Sequence, residues 1–278
     1  MKTFISRCLY IVAISATLFS CKNEVEIIPV NPLEGFTILN EGYALGASAK
    51  VEVWGKKNHF MGYNNLVVVL LDSLHPTDTI KDAHITFMPV MTMPQATGMP
   101  MVHACPVENP EEMAINGVFP GAVAYVMPSM GGSWKLGVMV HNHNVDKKGT
   151  ASFDVTVDSP TTAVISVFTA TTADASKLVL SVIKPIVPTV GMNDIEFTLH
   201  RKASMMSWPA DSTYTIEITP EMPSMGHGSP NNVNPVHVSN GHYKGKVNFT
   251  MTGEWKINIL VKKDGTTVSN NAYFNITF

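Results

Sequence analysis

Residues 220–228 read PEMPSMGHG and place two thioethers and an imidazole close together, at Met222, Met225 and His227. Proline and glycine are typical of a surface turn, whereas methionine is ordinarily a core residue. Thioether sulfur is soft and carries no proton near neutral pH, and imidazole binds copper in either oxidation state. The stretch therefore predicts an exposed Cu(I) site formed by two methionines and one histidine.

A second run of soft ligands, MTMPQATGMPMVHACP at residues 91–106, lies in the first half of the chain. The main candidate ligands there are Met99, Met101 and His103, and the weaker ones are Met93 and Cys105. A thiolate would tighten such a site, because a bound metal lowers the pKa of a thiol. The alternatives are that Cys105 is a small buried hydrophobic residue and that both methionine-rich loops dock another protein.

The second half of the chain repeats the first in four collinear blocks. The blocks are GYNNLVVVL and GMNDIEFTL at 62–70 and 191–199, GAVAYVM and GKVNFTM at 121–127 and 245–251, WKLGVMV and WKINILV at 134–140 and 255–261, and FDVTV and FNITF at 153–157 and 274–278. Their order is kept and their spacing changes only where loops change length, which indicates a duplicated module. Apolar and polar residues alternate within the blocks, as in half-buried strands.

These patterns predict an all-β protein with two tandem Ig-like antiparallel β-sandwich domains after an N-terminal lipoprotein signal peptide. The predicted parts are a signal peptide at 1–20, a lipidated N-terminus and spacer at 21–35, a first module at 36–158 and a second module at 163–278. Abundant Gly, Pro and Asn supply the turns, and Val, Ile and Thr supply the strands.

Other histidines are weaker candidate ligands. His237 and His242 flank the sequence VSNG and could reach the 220–228 loop if their own loop folds back over it. His141 and His143 in VHNHN lie two residues apart on a predicted strand, so both side chains could project to one face and clasp a metal. The duplicated half has a lysine and an aspartate there, so a solvated strand end is the alternative.

The second module carries a combination of motifs: MPSMGH after a strand, then GHYKGKVNFTM, then TGEW. The motif residues are Met222, Pro223, Met225, His227, Gly241, Tyr243, Met251, Gly253 and Trp255. Over roughly residues 177–262 this pattern resembles the YtkA-like (FixH-related) family of exported bacterial domains. The first module departs from it, with a longer loop and three extra residues in the turn at 127–134. The resemblance implies an Ig-like sandwich and suggests copper handling in the periplasm.

The N-terminus predicts export and a lipid anchor. Lys2 and Arg7 precede the apolar run CLYIVAISATLFS at 8–20, which has the length of a signal peptide. Leu18-Phe19-Ser20-Cys21 resembles a bacterial lipobox, which implies cleavage before Cys21 and lipidation of that cysteine. The alternative is an ordinary secretory signal with a coincidental cysteine. We expect a lipid-anchored protein of the bacterial cell envelope, on the periplasmic side or at the cell surface.

Composition excludes some partners and gives little support for catalysis. The net charge is -3, and no basic stripe is present that could neutralise the phosphates of a nucleic acid. The sequence has neither a Gly-x-Ser-x-Gly elbow nor a phosphate-binding glycine loop, so we expect no enzyme activity. Zinc fits the candidate loops less well than copper, because zinc prefers thiolate, imidazole and carboxylate ligands.

The expected function is copper binding through the Met/His loops, for metal trafficking with another envelope copper protein or for assembly of a metalloenzyme. The alternative is a non-enzymatic interaction or spacer lipoprotein that binds a membrane complex without metal. A glycan-binding or hydrolytic lipoprotein has less support, because no acidic pair stands out. Two methionines that end alternating strands, Met127 and Met251, are interpreted as packing residues. The same interpretation holds for the two tryptophans that begin such strands, Trp134 and Trp255.

Overall fold

A computed structural model of the protein describes residues 31–173 and 175–278. Residues 32–278 form one compact unit, and its regular elements are β-strands. The signal peptide, the lipobox and Cys21 lie outside the described residues and stay predictions. Across the described ranges, no helix has the length and apolar character needed to cross a bilayer.

The first sandwich is built from two antiparallel sheets. Its strands are β1 (Thr37–Ala44), β2 (Ala49–Gly55), β3 (Gly62–Asp72), β4 (Ala83–Met93), β5 (Met101–His103), β6 (Val107–Glu108), β7 (Phe119–Tyr125), β8 (Ser133–Asn142) and β9 (Lys147–Val155). One sheet has the strand order β1-β2-β3-β7-β6 and the other has the order β5-β4-β8-β9. The second of these sheets carries the methionine-rich segment on β4 and β5.

The second sandwich repeats this arrangement strand for strand. Its strands are β10 (Ile165–Thr169), β11 (Lys177–Lys184), β12 (Gly191–Arg201), β13 (Thr215–Met222), β14 (His227–Gly228), β15 (Val233–Ser239), β16 (His242–Phe249), β17 (Glu254–Lys263) and β18 (Thr266–Thr277). The sheet orders are β10-β11-β12-β16-β15 and β14-β13-β17-β18. The predicted all-β fold with two sandwich domains is therefore confirmed, and the shared topology supports the predicted duplication.

Period-two alternation places the core of each sandwich. On β17 the side chains of Trp255, Ile257 and Ile259 are buried, while Lys256 and Asn258 between them are partly exposed. Burial of one such large apolar side chain stabilises a fold by about 1.5–3 kcal/mol before conformational entropy is counted. Trp134 and Trp255 belong to the two separate cores, as the alternation predicts.

The cross-strand register shows which residues of the two sandwiches are equivalent. On β4 and β8, Pro89 lies opposite Leu136, and on β13 and β17, Pro220 lies opposite Ile257. Leu136 and Ile257 hold the same place in the repeated tryptophan–lysine block. Pro89 and Pro220 are therefore equivalent, and the residues that follow them on β4 and β13 can be matched one by one.

The two sandwiches contact each other through a small apolar cluster and through polar groups. The backbone N–H of Ala104, just after β5, donates to the carbonyl oxygen of Met205 at 2.8 Å. His242 on β16 lies between two carboxylates, Glu108 of the first sandwich at 3.0 Å and Glu196 of the second at 2.8 Å. The segment that carries His103 is thus connected directly to the second sandwich.

Candidate metal centre

Each sandwich has a methionine opposite a histidine at the end of equivalent strands. Met91 on β4 lies opposite His103 on β5, and Met222 on β13 lies opposite His227 on β14. Met91 and Met222 are equivalent because each follows its matched proline by two residues. Opposite side chains of an antiparallel pair share one face, so each thioether projects to the same side as its imidazole.

The ring of His103 is held in one tautomer by the backbone carbonyl of the next residue. Its Nδ1 lies 3.0 Å from the carbonyl oxygen of Ala104, and a carbonyl oxygen can only accept, so Nδ1–H is the donor. In the neutral ring Nε2 then carries a lone pair, and it lies 3.2 Å from Sδ of Met127. A thioether has no proton to give. Two electron-pair donors therefore face each other across a short gap.

Trp134 positions the sulfur that faces His103. The indole Nε1–H of Trp134 donates to the carbonyl oxygen of Met127 at 3.1 Å. The rings of His103 and Trp134 meet edge to face, with their centroids 5.5 Å apart. Because Trp134 is fully buried, it fixes both partners from the core side and excludes water there.

The second sandwich contains the same four residue types in equivalent places. Nδ1 of His227 lies 2.9 Å from the carbonyl oxygen of Gly228, so this ring too carries its proton on Nδ1 and leaves Nε2 free. Its centroid lies 5.9 Å from that of Trp255. The Nε1–H of Trp255 donates to the carbonyl oxygen of Met251 at 3.0 Å. We call the two groups the first cluster (Met91, His103, Met127, Trp134) and the second cluster (Met222, His227, Met251, Trp255).

A glycine in the turn before each tryptophan leaves room for the side chain of the methionine on β4 or β13. A Cβ added to Gly132 would lie 2.6 Å from the terminal methyl carbon of Met91, and one added to Gly253 would lie 3.1 Å from that of Met222. Gly253 also has a φ of +131°, a backbone conformation that L side chains rarely adopt. The glycine in each turn is thus explained by the methionine that packs on it.

The clusters differ in how open they are. His103 is buried and Met127 is partly buried, whereas His227 is partly exposed and Met251 is exposed. The segment that carries His103 lies against the neighbouring sandwich, through the backbone bond from Ala104 to Met205. Ligands from solution therefore reach the second cluster more easily than the first.

The predicted loop ligands fall into different environments. Met222 is only 3% exposed, so the prediction that its Pro and Gly neighbours place it in an exposed turn is wrong: it ends β13 and points into the core. Met225, in the turn after it, is 61% exposed. Met99 is 88% exposed, and Met101 is exposed and pairs across the ladder with the partly buried Met93. Their ligand roles stay predictions.

From the sequence, Met127 and Met251 are interpreted as packing residues, and Met91 is assigned no role. The structure brings Met127 to the free nitrogen of His103, and it places Met91 opposite that histidine. The available signal was the methionine that closes a strand shortly before the turn tryptophan in both modules. That signal was hard to use because the distance along the chain between methionine and tryptophan differs between the copies.

Cys105, a weaker predicted ligand, belongs to the hydrophobic core of the first sandwich. Burial raises the pKa of the Cys105 thiol well above its ordinary value, because the charged thiolate would lose its solvation. The side chain is therefore a neutral packing residue, which agrees with the alternative interpretation. A thiolate contribution to the first cluster has no support.

His237 and His242 do not join the second cluster. Nε2 of the exposed His237 accepts from the backbone N–H of Gly241 at 3.3 Å, and its ring packs against Tyr243. Both ring nitrogens of His242 are occupied by carboxylates, and the hydrogen bond to Glu108, followed by that to Glu196, raises its pKa. His242 therefore connects the sandwiches through both ring nitrogens, and its ligand role stays a prediction.

His141 and His143 lie side by side at the end of β8, with ring centroids 4.8 Å apart. Each bonds an aspartate, Asp146 for His141 at 2.8 Å and Asp82 for His143 at 2.6 Å. Within the part of the chain that the structure describes, no three or more His, Cys, Asp or Glu side chains are already arranged to hold a metal. Any metal on the two clusters must therefore use their thioethers.

Comparison with known proteins identifies the second sandwich. Residues 171–260 match the family model described as YtkA-like, so the resemblance predicted for roughly residues 177–262 is confirmed. The matched range includes all four residues of the second cluster. No curated protein matches the chain.

Solved structures similar to the chain include domains 5–6 of the S-layer protein SbsC, at 11% identity and a TM-score of 0.29, covering 87% of this chain and 97% of that one. An endo-fucoidan hydrolase of glycoside hydrolase family 107, MfFcnA4_H294Q, is similar at 9% identity and a TM-score of 0.20, covering 87% of this chain and 38% of that one.

Proposed function

We propose that this chain, which carries a YtkA-like domain in its second sandwich, binds Cu(I) at the two Met/His clusters and exchanges it with another copper protein of the cell envelope. The protein acts by binding and not by catalysis. Cys21 carries a lipid that anchors it at the membrane, on the periplasmic side or at the cell surface.

The observation that carries the proposal is the contact between Nε2 of His103 and Sδ of Met127 at 3.2 Å. Nδ1 holds the ring proton of the neutral imidazole, so neither of these two atoms brings a hydrogen to the contact. Facing lone pairs are unfavourable unless a cation or an extra proton lies between them. A metal ion that accepts both pairs removes the conflict.

The distance suits two ligands of one ion. With metal–sulfur and metal–nitrogen bonds of about 2.3 and 2.0 Å, atoms 3.2 Å apart subtend roughly 95° at a metal. The carbonyl that fixes Nδ1–H is the kind of outer partner that metal-binding histidines use to hold their orientation. The same tautomer is fixed at His227, so both clusters offer a prepared imidazole nitrogen.

The ligand set favours Cu(I). Each cluster offers two thioethers, from Met91 and Met127 in the first and from Met222 and Met251 in the second. Soft thioethers select Cu(I) over hard cations such as Mg²⁺ or Ca²⁺. Thioethers and a neutral imidazole bring no negative charge, so the occupied site keeps the charge of the ion, and Cu(I) at +1 costs less to bury than a divalent ion. The neighbouring tryptophan ring adds a polarisable face and keeps water away from the core side.

Exchange begins at the exposed methionines beside each cluster. Met225 lies in the turn between Met222 and His227, and Met101 lies two residues before His103 on β5. Both thioethers are exposed, so they can take up or release an ion while a partner's ligands enter the coordination shell. Copper remains Cu(I) throughout, and only the identity of its ligands changes.

The test is a titration of the full-length chain, in mild detergent and under reducing conditions, with Cu(I) against a competing chelator. We expect two ions for each chain. His103→Ala and His227→Ala should each remove one, and the double variant should bind none. The matched control is Met113→Leu with Met192→Leu, which removes two exposed methionines away from both clusters. Unchanged uptake in the double histidine variant would refute the proposal.

A second candidate function is docking of a membrane complex without metal. It is favoured by the strongly exposed side chains of Met99 and Met225, since flexible methionines suit adaptable binding surfaces. The same titration separates the two functions, because a docking module takes up no Cu(I) and loses nothing when His103 and His227 are replaced.

A further inference from the structure

Three histidines share the outer face of one sheet in the first sandwich. They lie at the end of the β4–β8 ladder opposite to the end that carries the first cluster. His84 near the start of β4 lies directly opposite His141 near the end of β8. The backbone N–H of His143 donates to the carbonyl oxygen of Asp82 at 3.3 Å, so the strand pairing continues one step further. Residues between them, such as Ala83 and Asn142, point inward and are buried.

Alternation therefore brings the three imidazoles to one face. His141 lies on β8 and His143 directly follows the end of that strand, and their rings meet edge to face at a centroid distance of 4.8 Å. His84 faces His141 across the ladder, where opposite Cβ atoms lie about 4.5–5.5 Å apart. Two histidines at the end of one strand and one from its neighbour can thus approach a common point above the sheet.

Each of these imidazoles uses one nitrogen to bond a carboxylate. The pairs are His84 Nδ1 with Glu112 Oε1 at 3.1 Å, His141 Nε2 with Asp146 Oδ1 at 2.8 Å, and His143 Nδ1 with Asp82 Oδ1 at 2.6 Å. A carboxylate only accepts, so each bonded nitrogen carries the proton and the other nitrogen of the neutral ring has a lone pair. A carboxylate behind the ring is the usual outer partner of a metal-binding histidine.

We propose that His84, His141 and His143 bind a divalent cation of the borderline class, Cu²⁺ or Zn²⁺. Imidazole suits both ions, and three histidines are an established ligand set that leaves further positions for water. In the described part of the chain the three rings are not yet arranged around one point. Their side chains are all partly exposed, so rotation can bring the free ring nitrogens together on the ion. This site uses no residue of the Met/His clusters, so it stands or falls independently of the Cu(I) proposal.

The charges around the site favour a dication. Asp82, Glu112 and Asp146 surround the three rings, and Lys148 lies opposite His141 on β9. The three carboxylates are hydrogen-bonded directly to the rings, so negative charge lies beside each imidazole. The second sandwich has Thr215, Lys262 and Asp264 at the matching positions, so the site belongs to the first sandwich alone.

The probe is Cu²⁺, titrated without reductant into the full-length chain in mild detergent against a competing chelator. Electron paramagnetic resonance of the bound ion counts its nitrogen ligands. We expect three nitrogens, and about tenfold or greater loss of affinity for each of His84→Gln, His141→Gln and His143→Gln. Zn²⁺ should reduce the Cu²⁺ signal only in large excess, because imidazole sites bind Cu²⁺ more tightly than Zn²⁺.

His75→Gln is the matched control, because His75 is also exposed and lies beside a carboxylate, Asp72 at 3.6 Å, but has no second imidazole in a register pair. It should leave affinity and nitrogen count unchanged. Unaltered affinity in any one of the three variants, or an equal loss in the control, would overturn the three-histidine site. Circular dichroism confirms that each variant is folded, and their Cu(I) uptake under reductant should match that of the unaltered chain.

Discussion

Nε2 of His103 and Sδ of Met127 lie 3.2 Å apart, although they belong to residues 24 positions apart in the chain. β5 supplies the imidazole, and the segment that follows β7 supplies the thioether. Trp134 holds that segment through the carbonyl oxygen of Met127. The second sandwich arranges the same residue types around Trp255, so the expected behaviour can be tested in two copies of one design.

The thioethers of Met127 and Met251 should contribute more to Cu(I) affinity than to the stability of the fold. Met127→Leu and Met251→Leu keep side-chain volume but remove the sulfur, so we expect about tenfold or greater loss of Cu(I) affinity at the altered cluster and less than about 1.5 kcal/mol of destabilisation. Chelator competition and urea unfolding measure the two effects on the same samples. Equal affinity in the variants would assign both methionines to packing alone.

Trp255 should position the second cluster through its ring N–H. Trp255→Phe removes the bond to the carbonyl of Met251 and leaves a void, which should cost about 1–3 kcal/mol and weaken Cu(I) binding. Trp208→Phe is the control for the second cluster, since Trp208 is buried outside that cluster, where it packs against Val179 and Ala104, and its Nε1–H has no partner among the described residues. A similar loss of Cu(I) affinity in both variants would contradict a specific positioning role.

Acid should destabilise the fold through two buried histidines. Burial lowers the pKa of His59 and of His200 from 6.5 to about 4, because the charged ring loses solvation. The folded pKa lies below the unfolded one, so their stabilising contribution is present above pH 6.5 and is lost as pH falls toward 4. Each shift corresponds to about 3 kcal/mol. Urea unfolding across this range should show the loss, with a smaller slope in His59→Gln.

His242 should act in the opposite direction. Its hydrogen bonds to Glu108 and Glu196 raise its pKa above 6.5, so the folded state binds its proton more tightly than the unfolded state. Its contribution is complete below pH 6.5 and is lost as pH rises through the folded pKa. An NMR titration of the ring should show the raised pKa. In His242→Gln the decline in stability above pH 6.5 should disappear, and a persisting decline would point to another group.

The lipid anchor can be tested at Cys21. Cys21→Ala should release the protein from the membrane fraction and abolish labelling with a radioactive fatty acid, because acyl chains supply the membrane affinity. Cys8→Ala is the matched control, since Cys8 lies in the segment predicted to be cleaved off. Membrane retention of the Cys21 variant would favour an ordinary secretory signal or another anchor.

Some features of the fold could be read directly from local patterns. Alternation on β17 and β18 predicted which side chains are buried, because the period of a strand is a local property. The four repeated blocks predicted the duplication, and each lies on an equivalent strand of the two sandwiches. The motif around Trp255 predicted the family match of the second half.

The membership of the site could not be read in this way. Pro223 and Gly226 indicated a turn, but only the register of β13 against β14 shows that Met222 lies just before that turn and is buried. Cys105 and Met101 looked alike as sulfur ligands, yet one is buried in the core and the other is exposed. Burial depends on what packs against a residue from elsewhere in the chain, which local spacing does not contain.

The sequence by itself determined the strands, the repeat and the presence of a Met/His loop in each module, because these depend on composition and period along the chain. The tertiary structure alone decided which thioether faces which imidazole, because His103 on β5 meets Met127 from the segment that follows β7, a strand of the other sheet. It also decided that His242 connects the sandwiches and that His84 stands beside His141 and His143. Such contacts are set by strand register and by packing between sheets, where residues distant in sequence come together.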